Sequence, residues 1–174
     1  MDQIAEVTGT GKGTLYHYFR HKTEILYEIH LEAFLPQLRA ARARAAEDLP
    51  APEQLRLILT EALVLFAAKP HHLRVISEHH REFADEHARL VGADRDEFRT
   101  IVSAAIDRGI RSGELGAHDP EIATMMYLGV LNWSMVWFDP AGRLTPREAA
   151  DSLWSCSFLG LAPRRTITPS DATA

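Results

Sequence analysis

Cysteine is nearly absent from this 174-residue sequence, which holds only Cys156. One thiol cannot close an intrachain disulfide, and no Cys/His grouping has zinc-ligand spacing. A reducing cytoplasm is therefore the expected setting, and no metal site is expected. Positive charge is scarce too: 19 Lys and Arg stand against 24 Asp and Glu, for a net charge of -5. That excludes a protein that holds nucleic acid by bulk charge, so any such contact must be local. Long apolar runs are also missing. The longest uncharged run, Ile122 to Phe138, contains Thr124, Asn132 and Ser134 between Pro120 and Pro140. It falls short of the roughly 20 apolar residues of a membrane span, so no membrane partner is expected. Met1-Asp2-Gln3-Ile4 has no basic stretch leading into an apolar one, and no signal peptide is expected. There is neither a Ser/His/Asp arrangement nor a glycine-rich phosphate loop, so neither enzyme chemistry nor a cofactor is expected.

What the sequence does have is helical periodicity. With 46% hydrophobic and 25% charged residues it can bury a core as one or two small units. Apolar positions recur at three and four residues, and no alternating β-branched stretch competes with them, so the fold class is all-α, with about eight helices. The spacing predicts two short helices, Met1 to Val7 and Lys12 to Phe19, joined by Thr8-Gly9-Thr10-Gly11, which is helix-turn-helix spacing. A long helix follows from Lys22 to near Glu47, with Pro36 expected to bend or break it. Beyond Pro50 and Pro52 the pattern gives Glu53 to Ala68, His71 to about Ala84, and Glu86 to Arg111 with an interruption allowed at Gly92. Glu121 to Phe138 and Thr145 to Leu161 complete the set. Asp119-Pro120 reads as N-cap and first helical residue, and Thr145-Pro146-Arg147-Glu148 as a capping box. Residues 163–174 are small, polar and proline-containing, and are expected to be a disordered tail.

The most informative stretch runs from Ile4 to Lys22. Leu15 and Phe19, four apart, face one side of the second helix and can anchor it on Ile4, Val7, Ile25 and Leu26. Lys12, Tyr16 and Tyr18 are left for the other side. Gly11 and Gly13 would let the helix start approach a phosphate backbone, where free N–H groups attract anions. From Lys12 through Lys22 every charge is positive. Lys22 opens a helix against its dipole, with Glu24 as a partial offset; it either reaches a phosphate or is a solvated lysine. Tyr16 and Tyr18 either face outward to a ligand or pack within a small helical hairpin. Thr14 either does the same or bonds its own backbone.

This segment resembles helix 2, the turn, recognition helix 3 and the start of helix 4 of the TetR family, whose pattern is I-A-x-x-A/V-G-x-S-x-G-T-L-Y-x-Y-F-x-x-K-x-x-L. The match falls at Ile4, Ala5, Gly9, Gly13, Thr14, Leu15, Tyr16, Tyr18, Phe19, Lys22 and, one residue late, Ile25-Leu26. Gly11 replaces the usual serine cap, which glycine can also fill, and His21 stands where serine or asparagine often begins helix 4. The resemblance implies a ligand-responsive transcriptional repressor, a homodimer on a palindromic operator in double-stranded DNA. It makes Gly11, Lys12 and Gly13 the leading edge of the recognition helix, sets Thr14, Tyr16 and Tyr18 at bases or backbone, and gives Lys22 a phosphate contact. Family members carry a further helix ahead of this point. Without it Ile4, Val7 and Leu15 are expected to be exposed, and operator binding is expected to be poor unless upstream residues are restored. The alternative is a ligand-binding, oligomerising protein that does not bind DNA.

The resemblance divides the chain into a partial DNA-binding domain at 1–35 and an effector-binding and dimerisation domain at 36–162. Helix Glu121 to Phe138 is apolar nearly all round, and with Thr145 to Leu161 it suggests a two-fold four-helix interface. The run from Gly129 through Thr145 is similar to C-terminal halves of TetR-type regulators of lipid, acyl-CoA and sterol catabolism, which implies a largely apolar small-molecule effector. Candidate pocket residues are Phe66, Ile76, Phe83, Phe98, Val102, Met125 and Trp133, with His79, His80 and Asn132 as polar members. For each named aromatic or Met, ordinary core packing is the preferred reading. His71, His72, His79, His80 and His87 crowd one region with Glu78, Glu82 and Glu86, yet only His79 with Glu82 has ligand-like spacing. Solvated or salt-bridged surface is the preferred reading.

Overall fold

The computed structural model describes residues 1–83 and 85–158; for Leu73, Ser77, His80 and Asp85 the backbone alone is described. The expected tail at 163–174, and residues 159–161 at the end of the helix expected from Thr145 to Leu161, lie outside the described residues. Among the described residues there are eight α-helices and no strand. Helices α1 (Asp2–Thr8) and α2 (Lys12–Tyr18) form the expected short pair. Gly9, at φ 66°, ends α1 in the left-handed conformation. This lets the Thr10 N–H reach the Ala5 carbonyl at 3.1 Å, a closure that β-carbon sterics would oppose in other residues. Gly11 then caps α2, its carbonyl accepting from the Leu15 N–H at 3.0 Å.

Helix α3 (Lys22–Ala45) runs through Pro36 without the break that was one of the two outcomes expected there. A helical proline costs about 3 kcal/mol. Here Ala33 on one side and Leu38 and Ala41 on the other are buried in the same core, so packing on both sides of Pro36 offsets that cost. Helix α4 (Ala51–Ala68) follows the Pro50 turn. Helix α5 (Pro70–His79) stops earlier than the periodicity suggests, giving way to one 3-10 turn, His80–Glu82. This turn delivers Phe83 into a small cluster with Leu26 and Val91. Helix α6 (Asp85–Ser112) passes Gly92 uninterrupted, pinned on either side by Val91 in that cluster and by Asp94, which is bonded to His30. At Gly109 a β-carbon would stand 2.8 Å from the Ala51 side chain, so α6 and α4 approach more closely than any larger residue permits.

Both sequence-read caps form. The Asp119 carboxylate accepts from the N–H groups of Glu121 and Ile122 at 2.9 and 3.0 Å, opening α7 (Pro120–Trp137). Thr145 and Glu148 exchange backbone-to-side-chain bonds at the start of α8 (Pro146–Phe158), and those bonds hold the Glu148 carboxyl below its usual range. The core lies where α4 meets α3, α6, α7 and α8. At its centre the fully buried Tyr127 donates its hydroxyl to the Leu55 carbonyl at 2.8 Å, and burial raises its pKa well above the ordinary phenol value. In the terminal hairpin Val7 is 87% exposed, as expected, whereas Leu15 is buried and Ile4 half-buried; Ala5 and Leu15 are the buried residues of α1 and α2, which pack on each other.

Candidate functional site

Gly11, Lys12, Gly13, Thr14, Tyr16, Tyr18 and Lys22 are each exposed in the helix-turn-helix. Tyr18 is 71% exposed and Tyr16 48%, so neither serves as hairpin packing. The two cations are already paired within the chain. Lys12 Nζ lies 3.0 Å from Asp2, and Lys22 Nζ lies 2.5 Å from Glu82, which comes from the 3-10 turn between α5 and α6. Lys22 and His79 together hold the Glu82 carboxyl below its usual range. Glu24 meets the start of α3 differently from expectation, accepting the Arg20 backbone N–H at 2.7 Å.

A cavity of about 360 Å³ opens among α3, α5, α6 and α7. Its apolar wall includes Phe34, Phe98, Leu128, Leu131 and Met135, and its polar members are His30, Gln37, Arg95, Asp96, Arg99 and Asn132. Cavities of this size and mixed lining suit a small, largely apolar molecule held by a few polar groups. His30 is fully buried; its Nε2 lies 2.9 Å from the Asp94 carboxylate, and its ring stacks on Phe34 with centroids 5.1 Å apart. Desolvation lowers the His30 pKa, outweighing the opposing pull of Asp94.

Of the sequence-predicted pocket residues, Ile76, Phe98, Met125 and Asn132 meet at this cavity. Phe66 and Val102 lie instead in the main core, and Phe83 in the small cluster with Leu26 and Val91. Trp133 is 64% exposed and lies outside the lining. Hydrophobicity alone does not separate a cavity wall from a close-packed interior or, for Trp133, from an exposed apolar face, which is why these four were grouped with the others. His79 is an exposed partner of Glu82 at 2.7 Å, and the side chain of His80 is outside the described residues. The crowded histidines disperse: His72 lies 3.8 Å from Glu32, and His87 stacks on Tyr27. Sequence reading missed His30, Gln37, Arg95 and Arg99. The available signal was a polar residue at every second turn of the buried α3 face, Leu26-His30-Ala33-Gln37.

A helix-turn-helix seated by a long third helix on a helical body with an interior cavity defines a class, the helix-turn-helix transcriptional regulators with a separate C-terminal domain. Within it the family is determined. Residues 48–161 match the tetracyclin repressor-like C-terminal domain, and residues 1–29 match the bacterial regulatory proteins of the tetR family. The chain belongs to the TetR family of transcriptional regulators. It is 26% identical over 163 residues to the HTH-type transcriptional repressor KstR2 of Rhodococcus jostii, covering 91% of this chain and 79% of that protein. The TetR family regulator PfmR of Thermus thermophilus is 28% identical and superposes with a TM-score of 0.81, covering 92% of this chain and 87% of that one. AibR, solved in complex with isovaleryl coenzyme A and operator DNA, shares the fold at 22% identity and a TM-score of 0.77, over 90% and 85% of the two chains.

Proposed function

We propose that this chain is a ligand-responsive repressor that binds a palindromic operator as a homodimer and leaves it when a largely apolar small molecule, of acyl-CoA or steroid type, enters the cavity. Residues 1–35 would serve DNA reading, and 36–162 effector binding and dimerisation. The observation that carries this reading is the continuity of α3. The same unbroken helix begins with Lys22 on the exposed surface and, farther along, lines the cavity with His30, Phe34 and Gln37. A ligand that moves this wall moves the seat of the recognition helix, and the shift is limited by the ligand's differential affinity for the two states. The exposed stripe Ile122, Met125, Trp133, Val136 and Trp137 along α7 supports the dimer, being an apolar face left uncovered by the described residues of one chain. Two recognition helices would then enter major grooves about 34–36 Å apart.

Fluorescence anisotropy on duplexes selected from random sequence tests the proposal. Expected are two chains per palindromic duplex, affinity that falls steeply with salt, and release on adding an acyl-CoA or a steroid-like compound. A dimer that binds such compounds but no duplex at low ionic strength would establish the alternative, a ligand-binding protein without DNA function.

A further inference from the structure

His30, Phe34 and Gln37 lie at i, i+4 and i+7 on α3, so one helix face offers the cavity a polar, an aromatic and a second polar group in a row. The hydrogen-bonding character of each polar group follows from its surroundings. Burial keeps the His30 ring neutral at neutral pH, with a single ring proton. Because the Asp94 carboxylate at 2.9 Å can only accept, that proton sits on Nε2 and donates to it, which leaves Nδ1 as a bare acceptor. Nδ1 is buried and has no hydrogen-bond partner among the described residues. Gln37 is 3% exposed, and its amide Nε2, a donor, is likewise buried without a partner among them. Buried polar groups in folded proteins are nearly always paired. Here one acceptor and one donor, both on cavity-lining residues, remain for a bound molecule to satisfy.

We propose that the α3 wall selects an elongated, flat, largely apolar effector with an O–H donor opposite His30 and a carbonyl-type acceptor opposite Gln37, about 10 Å apart along the helix, the rise of seven residues. The inference rests on the cavity being the effector site, and it narrows the ligand class. A simple saturated chain with one polar end leaves one of the two groups unmet. A rigid hydroxy-ketone or hydroxy-acyl compound meets both while its flat body lies against Phe34 and Phe98.

The test is calorimetric titration of the full chain with four matched probes: biphenyl, 4-hydroxybiphenyl, 4-acetylbiphenyl, and the compound carrying both groups on opposite rings. Each polar group is expected to tighten binding about tenfold over the parent, the scale of one net hydrogen bond. In His30→Phe the hydroxyl gain disappears and the acetyl gain remains; in Gln37→Leu the reverse holds. Equal affinity for all four probes, no binding by any of them, or gains that survive both substitutions would each overturn the inference. The wild-type comparison decides it even if a variant fails to fold. DNA release is read separately. Patterned probe binding without release would sink the regulator reading and leave this inference standing, while release by all four probes alike would do the opposite.

Discussion

The helix-turn-helix end and the helical body of this molecule put their functional groups in opposite places. At the first, every residue assigned to DNA is exposed and little is buried beyond Ala5 and Leu15. In the body, the cavity-lining polar groups of α3, His30 and Gln37, are buried on an otherwise apolar helix face. A surface of the first kind works through the order of residues along one short helix. A cavity of the second kind exists only after α3, α5, α6 and α7 have packed. The first can therefore be perturbed at little cost to folding, whereas the second shares its residues with the core.

The largest expected effect tests that separation. Leu59 is fully buried at the centre of the body, and Leu59→Ala should destabilise the fold by about 2–5 kcal/mol, read as a lower urea midpoint. The salt dependence of DNA binding by the remaining folded protein should not change. If it does, the two regions are less independent than their geometry suggests.

A smaller effect is expected where the regions touch, at the pair Lys22 and Glu82. This bridge occupies the cation assigned to a DNA phosphate, so Glu82→Gln should tighten binding to a labelled duplex by freeing it. Lys22→Ala should weaken binding and reduce the slope of log affinity against log salt by about 0.9, one phosphate contact. Unchanged affinity in Glu82→Gln would mean that the bridge does not compete with DNA.

The same contrast explains how much was legible in the sequence. The helix-turn-helix could be read because Gly9, Leu15, Tyr16, Tyr18 and Phe19 occur in one contiguous run, each with a local reason for its place. The caps at Asp119 and Thr145 could be read for the same reason. Pro36 was expected to bend or break its helix and Gly92 was allowed to interrupt one; neither helix breaks, and local propensity weighed without the burial of Leu38 or Val91 could not show this, since only the assembled fold supplies that burial. The cavity was half legible. Ile76, Phe98, Met125 and Asn132 were named, but Phe66 and Val102 have the same composition and lie in the core, and no periodicity distinguishes the two groups. His30 went unread because a histidine on a buried helix face acquires meaning only when Asp94, 64 residues away, arrives beside it.

The smallest predicted effect concerns that pair and sharpens the contrast from the buried side. In the unfolded chain His30 titrates near 6.5, whereas in the fold desolvation lowers its pKa, with the Asp94 bond opposing. Between those two values the unfolded chain binds more protons than the folded one, so stability rises with pH through this window. Stability present above pH 6.5 is therefore lost as pH falls through the lowered folded value. His30→Phe keeps an aromatic ring beside Phe34 but removes the proton site. Urea unfolding at about pH 7.5 and about pH 5.5 should show a larger loss of stability on acidification in the wild type than in the variant. A ligand whose hydroxyl donates to Nδ1 binds only the neutral ring. Saturating the cavity with such a ligand should therefore enlarge the wild-type difference, and a smaller difference would mean that the ligand contacts the protonated ring or another group.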